Sequence, residues 1–560
     1  MRFALNFLEH RWWRVAFLVG AALLLANALL VGCAPVPVPT SDATPTPNTT
    51  ATATKPAVSA PVQPSPTPAF PEGGSIVVGV VGAASLEINA MPEFLQSAVF
   101  ASLLTVDPAT GALKPGLAES FQVSGDATTF TFHLRAGVRW HNGDALTADD
   151  VVATIKAFSD PNFRGKPATD FGPLTRVDAP DSQTVQLTFS EGYCPALTSI
   201  GTLSVLPRAV ATSASFPHLT PAQMIGTGAL KFRAGNSHAF TLDRNADYYR
   251  GAPGIDSWTL QVYSDPAALR AAFAAKQIDV MPAAAAEYAP VKSIDGANLV
   301  STVAPEMLVL LFNADTTTLN DGRVRQALGY ALDRSALLND VAGQGQLVDA
   351  STLPGYWAND SGIPRYSYDP ARAKQILADA GWRDAGDGVL RKNGKPMRLE
   401  LWTEADDPIL EPLAFRIREQ LAALGIDAVM ELDDRPGWVT RAFDHRFDLL
   451  LLSRKVPLDP DQRWYWQSDQ NAKGSGFNFG SYANPRVDAD FDDMARVGAC
   501  DAGGRAALLA DVNRTLVTEA PAAFLFAPNK YLVTRDRVAG LQPSPFAGDF
   551  WNINAWRVRP

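Results

Sequence analysis

Two adjacent cations, Arg454 and Lys455, stand just past an apolar run at 448–452. A guanidinium presents a planar fork of N–H donors that meets a carboxylate or phosphate at two points, so Arg454 is fitted to hold an anionic group. Trp402, Trp464, Tyr465 and Trp466 offer flat faces on which a sugar-derived ring can stack, with core packing as the competing use. The six histidines, His10, His133, His141, His218, His238 and His445, show no close ligand spacing, whereas first-row metals favour clustered imidazoles. No metal ion and no cofactor is expected. A metal enclosed in a small organic chelator stays open, because the protein would then recognise the chelator.

Catalytic patterns fail in their surroundings, and no enzyme is expected. Gly235-Asn236-Ser237-His238-Ala239 lacks the last glycine of a nucleophile elbow and reads as a hairpin. Gly394-Lys395-Pro396 lacks the earlier glycine and the hydroxyl of a phosphate loop. Asp406-Asp407 and Asp433-Asp434 are neighbours in the chain and read as solvated turns. Trp140, His141 and Asp144 fall in a turn between a strand and a capped helix, which makes them scaffold.

At 560 residues the chain exceeds what one apolar core serves, so two or more bodies are expected. With 47% hydrophobic and 19% charged residues it reads as a water-soluble globular protein, and its net charge of −10 argues against nucleic acid as a partner. Arg2, Arg11 and Arg14 precede a 17-residue apolar run at 15–31, broken only by Asn27. That is short for a membrane span of about 20 residues and suits a signal-peptide core with a basic head. An uncleaved anchor helix is the other reading. Residues 34–71, rich in Pro, Thr, Ala and Ser, lack the apolar mass to fold and should form an extended tether. Past Cys33 only Cys194 and Cys500 remain, either bonded to each other or buried as separate thiols.

Beyond residue 73 the pattern is α/β. Residues 75–80, 130–135 and 185–189 read as strands, the last two by alternation. Residues 231–244 read as a hairpin turning at Gly235-Asn236, where both residues tolerate positive φ. The apolar runs at 307–312 and 448–452 suit strands buried on both faces. Thr147 and Asp150 form a capping box, and Asp369 caps a helix that begins with Pro370 and ends before Gly381. Two further helices are expected after Asp321 and at 413–424.

Residues 115–157, PGLAESFQVSGDATTFTFHLRAGVRWHNGDALTADDVVATIKA, resemble the signature region of solute-binding protein family 5, the oligopeptide-, dipeptide- and nickel-binding proteins of ABC importers. Gly226-Thr227-Gly228, with Ala229 in place of the usual proline, and residues 244–256, 324–334, 368–382, 421–426 and 477–487 continue the resemblance at family-like intervals. Leu30-Val31-Gly32-Cys33 resembles a bacterial lipobox, which implies a signal peptide at 1–32 and a lipidated Cys33 leading the tether at 33–71.

The resemblance implies a two-lobed periplasmic-binding-protein-like fold of type II, the large peptide-binding class, with a hinge between lobes. Lobe 1 would comprise 72–303 and 526–560, and lobe 2 would comprise 304–525. It implies an extracytoplasmic monomer that captures a small solute, a peptide first, and delivers it to a separate permease and ATPase. In peptide-binding relatives an acidic residue just before a "DPD"-like stretch receives the ligand's α-amino group. Here Asp459-Pro460-Asp461 matches that stretch, and the clamp position falls on Val456, so Asp459 or Asp461 would have to take the role. Phe477 and Asn478, which open the matched loop at 477–487, join Arg454, Lys455, Val456, Asp459, Asp461, Trp402 and Trp464 as ligand-binding candidates. An anionic or sugar-derived solute, a metal chelate, or a nutrient-sensing role without transport is the alternative.

Overall fold

A computed structural model describes residues 72–559, apart from 161–162, 164–170 and 342. The expected signal segment, Cys33 and the tether lie outside the described residues. The frame is a twelve-stranded mixed sheet. Its order runs Asp427–Asp433, Arg398–Glu404, Leu449–Lys455, Glu306–Phe312, Ala522–Thr534, Val280–Ala283, Ser75–Val81, Ser257–Tyr263, Ala239–Arg244 and Leu230–Gly235. The 13-residue strand Ala522–Thr534 belongs to both halves. Its first part pairs with Glu306–Phe312, and its second part pairs with Asn298–Val303 and Val280–Ala283.

The expected central strands are buried on both faces. Leu449 and Leu451 join Leu308, Leu310 and Phe312 in one core, while Leu450 and Leu452 join Met307, Val309 and Leu311 in the core opposite. Those two cores draw their members from 307–527, apart from Ala285. Three other cores draw from 76–291 and 531–558, with Cys500 the sole exception. Cys500 and Cys194 form a disulfide, with Cα atoms 5.4 Å apart.

A separate antiparallel sheet carries the signature segment. Strands Thr129–Leu134 and Thr184–Phe189 alternate as read, turning Phe130, Phe132, Leu134, Val185 and Leu187 inward. The next helix, Ala148–Phe158, begins with the expected box, Asp150 Oδ2 accepting from the Thr147 N–H at 3.0 Å. The same carboxylate accepts from the Trp140 indole at 3.4 Å and, through Oδ1, from the Arg208 N–H at 2.8 Å. Asp150 thus ties turn, helix and a distant segment together. Asp321 and Asp369 cap their helices through the N–H groups of Arg323 and Arg372.

The hairpin at 230–244 forms, but its turn differs from the expected one. Neither Gly235 nor Asn236 takes positive φ; instead the Asn236 side chain accepts from His238 and Ala239 N–H at 2.8 and 2.9 Å. Gly235 is needed because a Cβ there would strike the Phe240 ring. Gly226 and Gly228 likewise let the chain press against the Val99 and Ala98 carbonyls.

That close approach creates the seat of His141. Gly226 N–H donates to Nδ1 at 3.2 Å, and Nε2 lies 3.0 Å from the Gly228 carbonyl. The pair is satisfied only by a neutral ring with its proton on Nε2. Burial lowers the His141 pKa to about 4. The folded state therefore binds this proton less readily than the unfolded chain. The ring's contribution to stability is complete above the unfolded value near 6.5 and is lost as pH falls through about 4. Denaturant melts between pH 7 and pH 4 should lose roughly 1–3 kcal/mol from this group. His141→Asn should flatten that part of the profile while lowering stability at pH 7.

Candidate functional site

The strand Leu449–Lys455 delivers the chain to an irregular stretch at 456–462, which is fixed from several directions. Val456 N–H donates to the Pro305 carbonyl at 3.0 Å, and the Tyr356 hydroxyl donates to the Leu458 carbonyl at 2.7 Å. Arg505, on the helix Ala502–Glu519, grips both oxygens of Asp459 at 2.5 and 3.2 Å. Thr198 donates its hydroxyl to the same carboxylate at 2.8 Å, reaching from a distant part of the chain. Asp461 is almost fully buried and is held by Arg463 Nε at 3.0 and 2.9 Å from its two oxygens. Burial pushes its carboxyl up to about 6, and Arg463 opposes the shift.

These groups form one wall of a cavity of about 400 Å³. Pro457, Leu458, Asp459, Asp461, Arg463 and Trp464 face Asn89, Gln96, Tyr193, Thr198, Ser199 and Thr202 across it. Both carboxylates carry their own arginine, so the wall is nearly charge-balanced, and Pro457, Leu458 and Trp464 make much of it apolar. On the facing wall, the buried Asn89 Nδ2 and Ser199 Oγ meet no hydrogen-bond partner among the described residues. Such a cavity offers neutral donors and acceptors to a polar solute and no free carboxylate to an ammonium group. A larger depression of about 570 Å³ lies around Asp406, Glu411, Phe415 and Arg416, but residues 340–430 supply its whole lining. Of these two, only the 400 Å³ cavity is walled by two distant parts of the chain.

The structure brings three sequence candidates to the cavity: Asp459, Asp461 and Trp464. Val456 adjoins it, half-buried, with an apolar side chain that cannot meet an ammonium group. Lys455 is exposed at the end of its strand, paired with Glu306. Trp402 stacks under the Arg441 guanidinium at 3.2 Å and donates to Glu400, away from the cavity lining. Phe477 packs on Phe443, and Asn478 is buried, bonding the carbonyls of Gln467 and Tyr482 at 3.1 and 2.8 Å. Those two positions shape the loop. The facing wall was missed, since Thr198, Ser199 and Thr202 carry only small hydroxyls with no distinguishing spacing.

Arg454 follows Leu450 and Leu452 onto one face of its strand and is 7% exposed. Its guanidinium stacks on Tyr465 at 4.1 Å and Trp466 at 4.6 Å, and Nη1 has no acceptor. Burial lowers its pKa to about 10, so it stays charged at neutral pH. It lies outside the cavity lining.

The Asp459–Arg505 pair should dominate the stability of this wall. Arg505→Met strands a buried carboxylate and should cost about 3–5 kcal/mol in denaturant melts. Adding Asp459→Leu should recover most of the loss, and a double-mutant cycle would report the coupling.

The sequence profile of bacterial extracellular solute-binding proteins, family 5, matches residues 112–475. The chain is 26% identical over 513 residues to the oligopeptide-binding protein AppA of Bacillus subtilis, covering 87% of this chain and 92% of that one. It is 26% identical over 388 residues to the nickel-binding periplasmic protein of Escherichia coli, covering 66% and 72%. The solved structure of Bacillus subtilis AppA in complex with a nonapeptide superposes with a TM-score of 0.65 at 25% identity, over 88% of this chain and 100% of that one. The α/β, two-lobed periplasmic-binding-protein-like fold expected from the sequence is the fold the chain adopts. No helix among the described residues is long and apolar enough to cross a membrane. The chain belongs to the family 5 extracellular solute-binding proteins, the substrate-binding components of ABC importers.

Proposed function

We propose that this protein captures peptides in the 400 Å³ cavity between two lobes, 72–303 with 526–560 and 304–525, and hands them to a separate permease and ATPase. The observation that carries this reading is the cavity itself. One wall comes from residues 89–204 and the other from 457–464, and the charges on it are already paired. The division of the apolar cores on either side of the shared strand supports two lobes with boundaries near these, Phe526 and Ala527 packing with 307–525. With Val456 at the clamp position and both neighbouring aspartates engaged by arginines, a peptide would be held by its backbone and not by its terminal ammonium. The protein acts as a monomer, exported by residues 1–32 and anchored outside the cytoplasm through a lipidated Cys33. Native mass spectrometry of the purified full chain should release a ladder of short peptide masses on denaturation. A single sugar-like or chelate mass would overturn the peptide assignment.

A second reading is favoured by one observation, the buried guanidinium of Arg454 without an acceptor. An anionic solute that reached it would supply the missing counter-charge. Under this reading Arg454→Met leaves stability within about 1 kcal/mol of the parent, or raises it, because an unpaired buried charge is lost. Affinity for the co-purifying anion should fall at least tenfold in calorimetry. Unchanged affinity would assign Arg454 to the core alone.

A further inference from the structure

The backbone passes between the lobes at two neighbouring places, near 303–306 and 526–529, where Val303 pairs with Asn529 in the sheet. This geometry rests on the lobe division proposed above. A hinge at those crossings separates other contacts between the lobes in proportion to their distance from it. Most such contacts can break and re-form: Thr198 to Asp459 at 2.8 Å, Cys194 N–H to the Ala495 carbonyl at 2.7 Å, and Arg496 to Glu191 at 3.2 Å. The Cys194–Cys500 bond cannot, since a disulfide holds its Cα atoms within about 4.4–6.8 Å; here they are 5.4 Å apart.

We propose that this disulfide is a covalent strap between the lobes, which limits how far the cleft opens and so sets the rate of solute exchange.

Three features of its setting fit a strap. Among the described residues, Cys500 is the one from 304–525 that packs into the core around Phe130, Phe189 and Leu197. It reaches that core through two successive left-handed residues, Ala499 and Cys500, each at φ 53°. Non-glycine residues hold this conformation only where surrounding structure over-determines it. On the other side, Cys194 leads into Pro195 and the short helix Ala196–Ser199, which presents Thr198 and Ser199 to the cavity. The bond therefore sits beside the wall that must move for a solute to enter or leave.

The test is hydrogen–deuterium exchange, read by mass spectrometry on the full-length protein, comparing the parent with Cys194→Ser/Cys500→Ser. Parent protein reduced with dithiothreitol provides a second route should the variant fail to fold. There two electrons and two protons pass from the dithiol to the disulfide, giving two cysteine thiols and the cyclic disulfide of the reagent. Segments 193–204 and 457–466 should exchange at least tenfold faster without the bond, while the strands at 75–81 and 307–312 keep their protection. Unchanged exchange at the two cleft segments overturns the strap. So does a rise spread equally over all four segments, which would mean general stabilisation of the fold. Solute co-purifying with the same parent samples, detected by native mass spectrometry, tests capture separately, so failure of the strap and failure of the functional reading are distinguishable.

Discussion

Ala522–Thr534 is the strand on which everything else depends. It gives its first residues to one half of the sheet and its last residues to the other, so the two halves share a backbone hydrogen-bond ladder and not merely a linker. A shared strand restricts relative motion to bending and twisting about a narrow line, since sliding would break ladder bonds whose groups are buried. The seam is also where Leu308 and Val309 shift register against it, a local irregularity at the point where pairing passes from one partner to the next. Cavity, hinge and disulfide take their meaning from this geometry. Walls brought together by one line can part only by rotation about it.

Arginine does much of the remaining organisation, and its three buried examples among the described residues are handled in three ways. Arg325 is satisfied by main-chain carbonyls, with Leu319 and Glu519 each at 2.7 Å. Arg505 is satisfied by a carboxylate, and that choice consumes Asp459. Arg454 has only the faces of Tyr465 and Trp466. Cation–π contact offsets part of the cost of burying a charge but does not replace an acceptor for its N–H groups. The first two solutions hold helices to loops, as caps and networks do elsewhere in the chain. The third leaves Nη1 without a partner among the described residues, and only the two aromatic faces answer its charge.

Much of the fold was legible because it is written in local chemistry. Alternation at 130–135 and 185–189, apolar runs at 307–312 and 448–452, caps at Thr147 and Asp369 and a helix after Asp321 each follow from one short stretch of sequence. The hairpin at 230–244 was legible as a hairpin but not in its turn. Gly235 was read as a conformational need, whereas it answers a steric one set by Phe240. The disulfide was legible only as an option, because a pairing across 306 residues depends on tertiary placement.

The site was less legible for a related reason. Its second wall follows a recognisable strand and carries large or charged side chains, so the stretch at 454–464 stood out. Whether those charges were free could not be read. Arg505 and Arg463 neutralise Asp459 and Asp461, and the partner of Asp459 lies 46 residues away. Its first wall sets asparagine, glutamine, serine and threonine beside Phe158, Tyr193, Pro195 and Leu203, a mixture that any loop contains. Their selection as a surface comes from the packing of the helix Ala196–Ser199 against the segment at 457–464, which no local pattern encodes. A wall that mixes small neutral donors and acceptors with ordinary apolar residues leaves little trace in sequence. Val456, half-buried beside the cavity, likewise carries no charge by which sequence reasoning could single it out.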